Sequence, residues 1–230
     1  MNKGSLMPRI ALFSFAAAAL TAAGVFFLSP SAQAPGGVSL SAAQAQSTTA
    51  AQIDTSGIIE MALGAEDAPI TVIEYASFTC PHCASFHKNV FGDLKANYID
   101  TGKIRFVHRE VYFDRYGLWA GMVARCGGPA RYFGIADMVY NQQKEWTNGT
   151  DATAIAGNLR RIGRKAGLDD TALEACLMDA DKAQALFALY QTNAEADAIT
   201  STPSFVIDGE KFNNMSYADF ATLLDEKLGE

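Results

Sequence analysis

Apolar residues along this chain switch between two spacings, and the switches lay out its architecture. Ile70-Thr-Val-Ile-Glu-Tyr-Ala-Ser77 follows the breaker Asp67-Ala68-Pro69 and is β-branched and aromatic, the composition of a central strand. From Ala84 to Tyr98 the period lengthens, with Phe86, Val90, Phe91, Leu94 and Tyr98 at helical spacing. Lys103 to Val111 returns to strand composition, and Ile58 to Leu63 predicts a short edge strand ahead of both. Strand, helix, strand is a βαβ unit, which requires parallel strands and a right-handed crossover.

Between Tyr116 and Ile199 no strand pattern occurs. Helical periodicity covers Leu118 to Arg125, Tyr132 to Gln143, Ala152 to Ala166 and Thr171 to Ala198. Gly127-Gly128-Pro129 separates the first two helices, and Asp169 or Asp170 can cap the last. Strand composition resumes at Ser204 to Ile207, followed by Asp208-Gly209 and Glu210-Lys-Phe212, a hairpin signal. Ser216-Tyr-Ala-Asp219 resembles a capping box opening a final helix with Phe220, Leu223, Leu224 and Leu228 on one face. The order βαβ, helices, ββα predicts an α/β thioredoxin fold over residues 58–230, interrupted by an all-helical insertion at about 115–199.

The N-terminal end has a different character. Lys3 and Arg9 precede an apolar stretch from Ile10 to Leu28 and small residues around Ala32-Gln33-Ala34, the three zones of an export signal. Residues 1–34 are therefore expected to be a cleaved signal peptide or, since the apolar run approaches bilayer length, a retained membrane anchor. Residues 35–57, rich in Ala, Ser, Gln, Thr and Gly, cannot build a core and read as a flexible linker. Either fate of the N-terminus places the remainder outside the cytoplasm, in the periplasm or cell envelope.

Charge narrows the choice of partners. Beyond residue 52 the chain carries 16 basic against 25 acidic side chains, a net of −9, which argues against nucleic acid or an anionic membrane surface as partner. Four cysteines in an exported chain suggest two pairs. Cys126 and Cys176 lie in predicted helices; they are either two buried apolar thiols or, as an oxidising compartment favours, a structural disulfide.

Cys80-Pro81-His82-Cys83 carries the chemistry. Two thiols one helical turn apart, placed between a strand and a helix, can interconvert between dithiol and disulfide. Cys80 would lie at the helix N-terminus, where unpaired N–H groups and the macrodipole favour a thiolate, making it the nucleophile and Cys83 the resolving thiol. His82, between them, adds an imidazole that favours negative charge at Cys80. A zinc site would need two more ligands, and c-type haem attachment needs a histidine where Ala84 stands. No cofactor or metal is expected. Glu74, mid-strand in an apolar run, is costly to bury unless partnered or protonated; it reads as a buried acid serving the two thiols, or as a strand-end charge reaching water. His87 and His108 read as ordinary helix and strand residues.

Gly64 to Cys83 together with Ser201-Thr-Pro-Ser-Phe-Val-Ile-Asp-Gly209 resembles the DsbA-like disulfide oxidoreductases of the bacterial cell envelope, over roughly residues 58–230. The resemblance implies a cis Thr202–Pro203 bond facing the active cysteines, where substrate peptide binds. It supports Glu74 as the buried acid and Cys126–Cys176 as a second disulfide in the helical domain. It also implies a monomer that oxidises reduced or unfolded exported proteins and is recycled by a membrane disulfide oxidant. Apolar surface near the site, from Phe78 and the insertion, would hold unfolded substrates. Thr202 stands where the best-known oxidases carry valine and is similar to isomerase-type branches and to some DsbA-like members. An isomerase or reductase of the same fold is therefore one alternative; a periplasmic metal-binding module is another.

Overall fold

A computed structural model describes residues 53–229. The expected signal or anchor and all but the last residues of the linker lie outside the described residues. Among the described residues no helix is long and apolar enough to cross a membrane.

Strands β1 (Met61–Leu63), β2 (Ile70–Ala76), β3 (Ile104–Glu110), β4 (Ser204–Ile207) and β5 (Glu210–Asn213) form one mixed sheet in the order β1-β3-β2-β4-β5. The β2–β3 pair is parallel and the others antiparallel. Helix α1 crosses over between β2 and β3 as one continuous run, residues 81–99, with its turns widened to π geometry at His87–Phe91 and Lys95–Ile99. The insertion follows β3 as α2 (Arg115–Cys126), α3 (Pro129–Asn141), α4 (Gln143–Trp146), α5 (Ala152–Lys165), α6 (Asp170–Met178) and α7 (Ala180–Ala196). Helix α8 (Tyr217–Leu228) closes the chain.

The expected βαβ, helical insertion and ββα order is present. One helix predicted over Thr171 to Ala198 is instead two. Asp179 leaves helical geometry between them, ending α6 and capping α7 through its side chain on the Lys182 N–H. Periodicity misses such a break because both helices are apolar on one side. The capping box at Ser216 is formed, the Ser216 side chain taking the Asp219 N–H and the Asp219 side chain taking the Ser216 N–H.

Two cores share the sheet. Ile70, Val72, Ile104, Phe106, Phe205 and Ile207 pack against Phe86, Leu94 and Tyr98 of α1 and Phe220 and Leu224 of α8. Ala76, Phe78 and Cys83 pack instead against the insertion, through Val123, Tyr132, Ile135, Val139, Trp146 and Leu159. The active-site turn thus lies where the thioredoxin core and the insertion core meet. Cys126 and Cys176 are bonded, closing a 50-residue span and tying α2 to α6.

Replacing Cys126 and Cys176 together by serine is expected to lower the unfolding free energy by about 2–4 kcal/mol, from the returned freedom of the unfolded loop. Urea denaturation measures it; a loss well under 1 kcal/mol would show that α2 and α6 hold together without the bond.

Candidate active site

Cys80 is the N-cap of α1, with extended backbone (φ −80°, ψ 119°) and Pro81 in the first helical position. Proline is suited to that position because its fixed φ is helical and the N–H it lacks has no partner there. The N-cap itself is normally filled by a side-chain oxygen that accepts from the first turn. Here cysteine holds the position, and its side chain makes no cap hydrogen bond to the first turn. The Cys80 N–H donates to the Ser77 carbonyl (3.1 Å), folding the turn that brings the sulfur over the helix end. Cys80 is partly exposed, Cys83 is buried, and the two are unbonded.

The two sulfurs have opposite acidities. Cys80 is lowered from 9.0 to about 5, first by the hydrogen bond from the Cys83 thiol; burial opposes this, and the Thr202 side chain and the backbone N–H groups of Cys83 and His82 add to it. The thiol form also has a partner, donating to the Thr202 carbonyl at 3.4 Å, but the thiolate donors prevail. Cys83 is raised far above an ordinary thiol, first by burial, then by its bond to Cys80 and by the negative charge of Glu74. At neutral pH this arrangement holds one thiolate and one thiol, with the thiolate on the accessible sulfur.

Thr202–Pro203 is cis, and its carbonyl side faces Cys80. The His82 ring is exposed; what reaches the Cys80 sulfur is its backbone N–H. Phe78, expected to offer apolar surface, is instead buried against the rings of Tyr140 and His108. The exposed apolar residue nearby is Phe113, 61% accessible. It adjoins Asp114, which caps α2 and accepts from the Thr79 hydroxyl at 2.8 Å. A cleft of about 500 Å³, lined in part by Pro81, Ala84, Lys88 and Gln143, opens on the other flank.

Glu74 is fully buried, which excludes the strand-end reading. The sheet explains its company. In the parallel β2–β3 ladder Glu74 stands opposite His108 and Ala76 opposite Glu110, and side chains two apart in a strand share a face. His87, one turn beyond Cys83 on α1, reaches the same point: its Nε2 is 2.9 Å from Glu74 Oε2, and His108 Nε2 is 3.8 Å from it. Both histidines, read from sequence as ordinary, therefore belong to the site. The spacing of Cys83 and His87 and the parallel register of the βαβ unit were the signals that could have placed them. The three donor atoms lie within 4.8 Å of one another. The His108 nitrogens, however, face the hydroxyls of Tyr132 (2.7 Å) and Tyr140 (3.0 Å), so the cluster is a hydrogen-bonded network and not an open ligand set.

Gln143 was missed entirely. From α4 its buried amide donates to the Phe78 carbonyl (2.8 Å) and to the Cys80 carbonyl (2.9 Å), fixing the peptide planes on both sides of the turn. Nothing in a polar residue at the end of a helical pattern marks that task.

Compared with known proteins, the chain matches the family model described as Thioredoxin over residues 57–226. A Rickettsia bellii protein with the provisional name protein-disulfide oxidoreductase is 34% identical over 172 residues, 74% of this chain. The chain spans just under two thirds, 65%, of that relative's length. Among solved structures, Wolbachia pipientis alpha-DsbA1 is 31% identical with a TM-score of 0.68, covering 74% of this chain and 91% of its own. A protein-disulfide isomerase from Novosphingobium aromaticivorans is 26% identical with a TM-score of 0.68, covering 74% and 98%.

Gln143→Leu leaves two largely buried carbonyls short of a donor and is expected to cost about 1–3 kcal/mol, read from urea denaturation. A neutral effect would show that water replaces the amide.

Proposed function

The chain belongs to the thioredoxin family, among the disulfide oxidoreductases of DsbA type, and we propose that it is a dithiol oxidase of exported proteins. The observation that carries this direction is the stabilised Cys80 thiolate. Whatever favours the thiolate favours the reduced enzyme, and so makes the Cys80–Cys83 disulfide a stronger oxidant.

A substrate thiolate attacks Cys80 Sγ of the disulfide; the S–S bond breaks and its electron pair leaves on Cys83, which takes up a proton. A second substrate thiolate then attacks the mixed disulfide and expels Cys80 as a thiolate, a good leaving group because its conjugate acid is strong. Products are an oxidised substrate and the reduced pair. A membrane disulfide oxidant would restore the disulfide, in the periplasm or cell envelope. The Thr202 carbonyl beside Cys80 offers a backbone partner to an extended substrate, and Phe113 offers an apolar surface beside the same turn. Pro203, next in the chain, leaves that peptide edge without a competing N–H donor. A monomer suffices for every step.

One second reading is an isomerase of the same fold, since Thr202 stands where the best-known oxidases carry valine and the chain is similar in fold to a protein-disulfide isomerase. Oxidation of reduced ribonuclease compared with recovery of scrambled ribonuclease separates the two; recovery of the scrambled form without oxidation would reverse the direction proposed.

The 240 nm absorbance of the Cys80 thiolate is expected to titrate with a midpoint near 5. A folded-state value below the unfolded one means that the thiolate's contribution to the reduced form is fully present above about pH 9. It declines as pH falls and is gone below the folded value of about 5. The glutathione equilibrium should place the pair at an oxidising potential, about −120 to −180 mV, and not near the roughly −270 mV of thioredoxin; the latter value would refute the oxidase reading. Thr202→Val removes a side chain that lowers Cys80, so the midpoint should rise and the potential fall. An unmoved midpoint would assign the threonine no electrostatic part.

A further inference from the structure

Cys83 is buried, yet each cycle must give it a proton and later remove it. Behind it runs a line of buried polar groups that thiol chemistry at Cys80 does not use. Glu74 meets the Cys83 face of α1, where His87, one turn beyond Cys83, is 2.9 Å from its Oε2, and its charge raises the Cys83 thiol. His108 Nε2 is 3.8 Å from Glu74 Oε2. His108 Nδ1 is 2.7 Å from the Tyr132 hydroxyl, which donates to Glu110 Oε1 at 2.9 Å. Because Tyr132 donates to Glu110, His108 must donate from Nδ1 to Tyr132, leaving Nε2 to accept from Tyr140 at rest. Glu110, paired with Arg125 through both oxygens (2.6 and 2.5 Å), lines with His108 a cavity of about 190 Å³ bordered by Glu60, Arg109 and Tyr190.

Stability does not call for this line. Apolar residues of similar volume in place of buried charge pairs are often neutral or stabilising, and Glu74 Oε1 has no hydrogen-bond partner among the described residues. An unpartnered oxygen on a buried carboxylate is a vacant proton position.

We propose that Glu74, His108, Tyr132 and Glu110 form a proton relay between Cys83 and the cavity beside Glu60 and Tyr190, with His87 as the positioning residue that holds Glu74. The proposal rests on the oxidoreductase reading. When the disulfide forms, the Cys83 proton passes to Glu74. From there it moves to His108 Nε2 as the Tyr140 hydroxyl turns aside. The Nδ1 proton goes to Tyr132 while the Tyr132 proton goes to Glu110, and one proton leaves to water in the cavity. Each hop breaks one bond to hydrogen and makes another. The outward passage leaves His108 in its other tautomer, which is the arrangement needed for inward passage when the disulfide next opens. Burial lowers His108 to about 4, so a proton arriving there moves on. The charged and titratable groups around its ring are Glu74, His87, Glu110, Arg125, Tyr132 and Tyr140.

The test follows the reduced full-length protein with Ellman's reagent. The Cys80 thiolate expels one thionitrobenzoate and forms a mixed disulfide. Cys83 then loses its proton, attacks Cys80 Sγ and expels a second, so the second release reports the relay. In the wild-type protein that phase should show a bowed proton inventory in mixed H₂O and D₂O, from more than one proton in flight; a linear or flat inventory overturns the relay. His108→Gln can keep hydrogen bonds but cannot pass a proton on, and Tyr132→Phe breaks the line. Both should slow the second release on the order of tenfold or more and raise its solvent isotope effect, with the first release and the 240 nm midpoint unchanged. A folded variant with wild-type second release, or slowing without a change in isotope effect, refutes the relay. Absence of the first release would instead refute the oxidoreductase reading.

Discussion

The protein depends on a difference between two sulfur atoms one helical turn apart. Cys80 caps a helix end, where unpaired N–H groups and the Cys83 thiol supply hydrogen bonds to a thiolate; Cys83 lies one turn deeper, where burial and Glu74 forbid a second charge. An accessible thiolate over an inaccessible thiol leaves the first sulfur open to thiol exchange and the second shielded from it.

The fold maintains it from three sides. The Ser77 carbonyl holds the Cys80 N–H, setting the turn from β2 into α1. The Thr202 segment leading into β4 supplies a carbonyl and a side chain to Cys80 itself. Gln143 clamps the turn from the insertion. The third contact explains how helices far from the turn in sequence bear on it: they carry the amide that fixes the carbonyls around Cys80, and the disulfide between α2 and α6 braces the bundle that holds it.

The same architecture accepts polar groups in its core, contrary to what packing alone would choose. In the β2–β3 ladder the face that carries Val72 and Phe106 into the apolar core brings Glu74, His108 and Glu110 into line as it nears Cys83. The Tyr132 and Tyr140 hydroxyls and the Arg125 guanidinium satisfy most of that line from the insertion. The junction of the two cores is thus where polar atoms can be buried and still find partners, and it lies under the redox pair.

Local patterns sufficed for much of this protein. Period-two and helical spacing located the strands, α1 and the insertion, and Ser216 with Asp219 located the last helix, because each depends on residues only a few positions apart. The placement of Cys80 at the helix N-terminus with Cys83 one turn deeper was legible for the same reason, since it depends on residues a few positions apart. His87, His108 and Gln143 were not legible as site residues. Each acts on a partner brought near by strand register, by helix packing or by a contact between two cores, and no local rule reports those. The burial of Phe78 was hidden likewise, since an aromatic beside a CxxC reads equally as surface or core. The sequence by itself determined where the two thiols sit, because that is set by neighbours along the chain. Only the tertiary structure decided what surrounds them, because a buried group's charge and proton depend on partners that folding alone brings within hydrogen-bond reach.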